Sequence, residues 1–290
     1  MGHLDRLAAT APALTPRQER ALFARMRLPG GIFKTTIARR LTDVDDAVVA
    51  ALATVQRPAA PLAVLDAGAS SGTTSLELAQ ALGAAGHDVS LTLTDIALTA
   101  SLVTLSPRYA ALLDGNGALL QHFVAGQPVR PWRRRLDYVT QAWVLTAAAN
   151  RRFARAVADG AIDRARASAR PILLVAPQVI AHAGVRCEEA DIFAPPPAHH
   201  LGAFDIVRAA NVLLPEVFDA DRIAVGLRHL AARLRGPGAL LVLARSPAPG
   251  SRGANRATIL CLGDDRRLAV LSRIGPGSEI EHLAPDQRRT

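Results

Sequence analysis

The sequence predicts an α/β fold: a seven-stranded, mostly parallel sheet with helices on both faces, an N-terminal helical segment and a helical insertion after the second strand. Three observations carry this prediction. From residue 62 onward, short apolar runs alternate with helical stretches, the pattern of a doubly wound sheet. The first run, LAVLDAG, ends in a Gly-containing turn that opens a helix. Two runs near the end, ATILCLG and RLAVLSRIG, flank Asp264-Asp265 and read as a terminal hairpin.

The elements follow in order. Thr15-Pro16 marks a helix start, with Leu22, Phe23, Met26 and Leu28 on one face and Pro29-Gly30-Gly31 as its stop. A second helix begins near Thr42-Asp43 and runs through VVAALATV, and Arg57-Pro58-Ala59-Ala60-Pro61 reads as a linker. LAVLDAG is the first strand, TTSLELAQALGAAG a helix closed by Gly86, and VSLTLTD the second strand. IALTASLV reads as the start of another helix, leading into an Arg-rich helical insertion over 105–182. VRCEEADIF is strand three, FDIVRAANVLL strand four, Asp219 to Leu234 a helix, and ALLVLAR strand five. The expected organisation is an N-terminal helical segment over 1–61, a ligand-binding domain over 62–275 that contains the insertion, and a tail over 276–290.

Composition bounds the function classes. In a chain of 290 residues, 50% hydrophobic, a sizeable core forms and global disorder is excluded. No apolar run reaches the roughly 18 to 20 residues of a membrane span, and residues 1–16 lack a signal-peptide core. A cytoplasmic location is expected. Cys187 and Cys261 are too few for a disulfide framework or a zinc cluster and read as small core residues. The net charge is +9, and Lys34 is the only lysine. The stretch 105–186 holds twelve Arg against four Asp, whereas 63–104 has neither Lys nor Arg.

The candidate site gathers where strands end. In Asp66-Ala67-Gly68-Ala69-Ser70-Ser71-Gly72 the two glycines allow a tight turn and close approach to a ligand, with a helix N-terminus behind them. The G-x-x-x-G spacing lacks two glycines of the dinucleotide loop, and no Gly-Lys-Ser/Thr of a phosphate loop follows. Asp95, followed by Ile96, ends strand two, where a carboxylate accepts both hydroxyls of a ribose; it also suits a helix N-cap. Asp191-Ile192 at the end of strand three pairs a carboxylate with an apolar face, suited to an adenine or to a solvated strand end. Asn211 ends strand four, with Arg208 just before it, and faces the crevice or caps the strand. His199-His200 reads as a solvent-exposed loop pair, although a general base near the crevice is conceivable. No metal site is expected, since no H-x-x-x-H or C-x-x-C spacing is present.

On these residues the chain resembles the class I S-adenosylmethionine (SAM)-dependent methyltransferases, with their Rossmann-like sheet, over about 62–100 and 184–275. Within that class, Ala69-Ser70-Ser71-Gly72, Thr94-Asp95-Ile96 and Asn211-Val212-Leu213 are similar to motifs of the chemotaxis-receptor glutamate methyltransferases. It departs from them at Thr73-Thr74, where that family has a Glu pair, and at Ala210, where it has Arg. The resemblance implies SAM as cofactor, held by Asp66, Gly68–Gly72, Asp95, Ile96, Asp191, Ile192 and Asn211, with Asn211 and Arg208 nearest the chemistry. The methyl acceptor is an unidentified small molecule, lipid-like compound or protein carboxylate; the alternative is a SAM-binding or regulatory module without turnover. In the insertion, Arg130-Pro131-Trp132-Arg133-Arg134-Arg135 and Arg151-Arg152 bracket a short apolar helix. That helix suits contact with an anionic membrane surface through 130–152, or packing as a lid. Aromatic residues are sparse among the arginines, which argues against nucleic acid.

Overall fold

The computed structural model describes residues 37–55, 61–133, 135–247 and 253–285. The helix read at Thr15-Pro16 lies outside them. Up to residue 96 the described elements are α1 (Thr42–Leu52), β1 (Leu62–Ala67), α2 (Thr73–Ala84) and β2 (Val89–Asp95). There follow β3 (Thr99–Ser106), β4 (Tyr109–Leu113), β5 (Leu119–Val124), β6 (Gln127–Val129), α3 (Leu136–Val139), α4 (Ala142–Ala158), α5 (Ala161–Arg166) and β7 (Arg170–Leu173). The rest comprises α6 (Pro177–Ile180), β8 (Val185–Glu189), β9 (Ile206–Ala210), α7 (Ala220–Ala231), β10 (Leu240–Arg245), β11 (Arg256–Leu262) and β12 (Leu268–Ile274). The chain divides into two compact units: Ile37–Ile96 with Gln178–Thr290, and a second whose described part is Ala97–Pro177.

The first unit holds a seven-stranded mixed sheet in the order β12-β11-β10-β9-β1-β2-β8. The strands from β8 to β10 run parallel, while β11 runs antiparallel to both β10 and β12. β1 is central, with Leu65 paired to Thr92 on one side and to Val207 on the other. Its near-continuous burial explains why LAVLDA carries no polar alternation. The strand pleat then sorts the faces. Leu65, Val207 and Leu241 pack with Ile223, Leu227 and Leu230 of α7. Asp66 and Arg208 point to the opposite face, where Arg208 reaches Asp45 on α1. Helices therefore cover both faces. Asp219 caps α7 by accepting from the Arg222 amide at 2.8 Å, as an N-cap carboxylate should.

The second unit corrects the sequence reading. IALTASLV does not start a helix: Thr99–Ser106 is a strand, in a five-stranded antiparallel sheet ordered β6-β5-β4-β3-β7. The insertion is thus a sheet with helices rather than a helical segment. Alternation explains the difference, because the Thr and Val side chains of β3 suit a pleated surface better than a helix. Turn chemistry reinforces it. Ala125 and Gly126 both have positive φ, at 50° and 75°, the geometry of a tight two-residue hairpin. In the preceding turn, Asp114 Oδ1 accepts from the Asn116 and Ala118 amides at 3.0 and 2.7 Å. Val103, Ala111 and Leu113 pack with Ala156 of α4 and Ile162 of α5. Ala100, Leu112, Leu120 and Leu174 form a separate cluster. The short apolar helix read between the arginines is two helices, α3 and α4, broken at Gln141, which has φ 57°.

Candidate functional site

The carboxyl ends of β1, β2, β8 and β9 converge at the point where the strand order turns outward from β1 in both directions. In open α/β sheets that edge is where ligands bind. The loop after β1 is built tightly there. Gly68, Ser70 and Gly72 all have positive φ, at 72°, 58° and 80°. Thr94 carbonyl accepts from both the Gly68 and Ala69 amides, at 2.7 and 3.0 Å, and Ala69 carbonyl accepts from Gly72. A side chain at Gly68 would overlap a Val212 methyl, and one at Gly72 would come within 2.9 Å of Leu93 and Val179. These two glycines therefore serve close packing inside the protein as well as backbone shape.

Asp95 ties the loop to β2: its Oδ2 accepts from the Ser70 amide at 2.8 Å, and the residue is buried. Ile96, next to it, is exposed. Asp191 is half-buried beyond the end of β8 and turns its Oδ1 back to the Phe193 amide at 2.9 Å. Ile192 belongs to the core cluster packed on α7. Ser71 is fully buried, with its hydroxyl 3.0 Å from that of Thr73. Asn211 has φ 58° and binds back to the end of β10: its Oδ1 accepts from the Ser246 amide at 2.7 Å. That contact accounts for its position without a ligand.

Asp66 and Arg208 form a buried network below the loop. Arg208 has no solvent exposure; it donates from Nε and Nη2 to Asp66 at 3.1 and 2.6 Å and from Nη1 to Asp45 at 2.8 Å. Ser75 Oγ also donates to Asp66. Burial pushes the Asp45 carboxyl up to about 7, against the pull of Arg208. Burial pulls the Arg208 pKa down, but Asp66 above all, with Asp45 beside it, outweighs this and raises it, so the guanidinium stays charged. Asp45 was not a sequence candidate; its only signal was a carboxylate on the apolar face of α1, beside Val44 and Val48.

Two histidine clusters were also missed. Of the His199-His200 pair, read as exposed, His199 is exposed but His200 is only 1% accessible and packs edge-on against Phe204. Both Nε2 atoms lie 3.0 Å from Glu188 Oε2 on β8. Burial holds the His200 imidazole below its ordinary pKa. In the second unit, buried His122 links Tyr109 to Asn150, with Nδ1 3.0 Å from the phenol oxygen and Nε2 2.8 Å from Asn150 Oδ1. Burial pushes the Tyr109 phenol up to about 12. Cys187 and Cys261, read as core residues, are half-buried on β8 and β11.

No protein-family model matches the chain, and no curated protein matches it. Solved structures resemble it at low identity. The CMeT domain structure of citrinin polyketide synthase is 16% identical, with 70% of this chain and 34% of that one covered and a TM-score of 0.36. SAM-bound CalS10, an amino pentose methyltransferase from Micromonospora echinaspora, is 13% identical, with 77% and 61% covered and a TM-score of 0.32. An O-methyltransferase family protein from Burkholderia thailandensis is 13% identical, with 71% and 38% covered and a TM-score of 0.32. The chain spans between about a third and three fifths of the length of these proteins.

Proposed function

We propose that the chain is a SAM-dependent methyltransferase whose cofactor site is the Gly68–Gly72 loop and the strand ends beside it. The observation that carries this reading is the buried carboxylate of Asp95, bonded to the Ser70 amide where β1 and β2 end together. A carboxylate beside a backbone loop and a helix N-terminus supports a reading in which it accepts ribose hydroxyls. The residues fit the nucleoside half of the cofactor: Asp95 for the ribose, Ile96 and Asp191 for the adenine, and Ala69–Ser71 for close backbone approach. The cofactor would supply an activated methyl group. The protein's own task is then to hold the acceptor in line and exclude water. A carboxylate acceptor needs no base, whereas an alcohol or amine needs one within hydrogen-bond reach.

A second reading, a SAM-binding module without turnover, is favoured by a specific observation. Arg208 and Asn211, which the resemblance puts nearest the chemistry, and Asp66 are all engaged in internal bonds. Calorimetric titration with SAM tests the shared premise, and absence of binding sinks both readings. Transfer of labelled methyl from SAM into a cell extract separates them: incorporation above that of an Asp95→Ala control supports the enzyme, and none supports the module.

A further inference from the structure

We propose that Glu188, His199 and His200 form a binding site for a divalent transition-metal ion of the zinc type, on the α7 face of the sheet near its β8 edge. The three residues come from two segments. Glu188 lies on the edge strand β8, and the histidines sit in the 3₁₀ turn Ala198–His200, after Pro195-Pro196-Pro197. One ligand atom from each lies within 4.8 Å of those of the other two. Glu188 Oε2 is 3.0 Å from both imidazole Nε2 atoms, and the two rings stand 4.4 Å apart at 67°. Two ligands on one tetrahedral zinc, each about 2.0 to 2.2 Å from the metal, stand about 3.3 Å apart. The two Glu188–imidazole separations are within a few tenths of an ångström of that spacing, and the third pair lies within 4.8 Å, so small side-chain rotations bring the three donors onto one ion.

A second observation points the same way. The His200 side chain is 2% exposed, and among the described residues its Nδ1 has no hydrogen-bond partner while its Nε2 meets only Glu188 Oε2, at 3.0 Å and outside good hydrogen-bond geometry. A buried polar group left in that state is costly, and coordination through Nε2 would remove the part of the cost that falls on that nitrogen. Exposure elsewhere in the cluster is graded. Glu188 is 34% and the His199 side chain 65% accessible, which leaves an entry path and room for water ligands. Two imidazoles and one carboxylate with an open position is a donor set that suits zinc and its neighbours rather than magnesium or calcium. The ion would fasten the 190–200 connection to the sheet edge. This proposal is independent of the methyl-transfer reading.

The test uses the tag-free full chain, stripped with a chelator and titrated with Zn(II) against a chromophoric competitor. One equivalent is expected to bind saturably, and the melting temperature to rise with it. His199→Ala, at an exposed position, and Glu188→Gln are each expected to weaken binding at least tenfold while leaving the circular dichroism spectrum unchanged. Co(II) should give the visible bands of a four- or five-coordinate nitrogen and oxygen site, and Mg(II) should not compete. Absence of saturable zinc binding overturns the proposal. So does binding of undiminished affinity in a His199→Ala/Glu188→Gln double variant, which would place the ion elsewhere.

Discussion

At the scale of single residues, the loop separates conformational need from packing need. Gly68 and Gly86 both have positive φ, at 72° and 91°, but only at Gly68 would a methyl group meet a neighbour, Val212. Gly86→Ala is therefore expected to cost about 1 kcal/mol, the penalty of a left-handed alanine. Gly68→Ala adds overpacking and is expected to cost about 2 to 4 kcal/mol. Urea unfolding of the two variants checks the order, and equal losses would show that Val212 yields freely. Asp95 accepts from the Ser70 amide and, in the proposed function, would also accept from the ribose hydroxyls. Asp95→Asn keeps an acceptor oxygen for the Ser70 amide but lowers its strength, and is expected to weaken SAM at least tenfold in calorimetry with little change in melting temperature. A loss of fold instead would assign Asp95 to the loop alone. These residues were legible because a Gly turn and a strand-end acid have fixed places in the pattern. The partners of Asn211 and His200 were not, since Ser246 and Glu188 are brought to them only by strand pairing and by the return of the chain after β8.

At the scale of elements, α1 is tied to the sheet by one buried ionic network as well as by Val44, Val48 and Leu52. Removing one side of a buried pair leaves an uncompensated charge, so Arg208→Leu is expected to cost about 3 to 5 kcal/mol. The network also gives the fold a pH dependence. The Asp45 carboxyl lies near 7 when folded and 3.8 when free, so the folded state holds an extra proton between those values. Its contribution is fully present below about pH 3.8 and lost as pH rises through 7. Wild type should therefore lose stability from pH 5.5 to pH 8 relative to Asp45→Asn, which has no such proton. Parallel urea titrations at the two pH values measure the difference, and identical slopes would remove Asp45 from the account. Element type was read well where a run was apolar and closed by a turn, as in β1, β2, β9, β10 and the β11–β12 hairpin. It failed at Thr99–Ser106. Seven or eight residues with apolar side chains at mixed spacing satisfy a helical or a pleated template equally, and the pairing with β4 and β7 that decides between them is non-local. The Asp114-Gly115-Asn116-Gly117 and Ala125-Gly126 turns were the available signal for that sheet.

At the scale of the whole molecule, charge is uneven: most of the net +9 arises from the Arg-rich stretch 105–186. Among the described residues no helix is long and apolar enough to cross a membrane. Yet α3, α4 and their junction expose large apolar side chains, with Leu136 at 67%, Tyr138 at 60% and Val139 at 80% accessible, joined by Val144 and Leu145. Arg133, Arg135, Arg151 and Arg152 are exposed in the same stretch. Apolar side chains flanked by guanidinium groups match the interface of an anionic bilayer, where burial of the first and attraction of the second add. Each basic residue near such a surface contributes about 1 kcal/mol, and salt screens that part within a Debye length of about 8 to 10 Å. The chain is therefore expected to sediment with phosphatidylserine-containing vesicles and not with neutral ones, and to be released in part by added salt. Leu136→Ser with Val139→Ser should abolish the salt-resistant fraction, because it removes the apolar half of the contact. Arg151→Gln with Arg152→Gln should instead lower the salt-sensitive fraction. Equal binding to neutral and anionic vesicles would reject the electrostatic half of the argument, and wild-type binding by the serine variant would reject the apolar half.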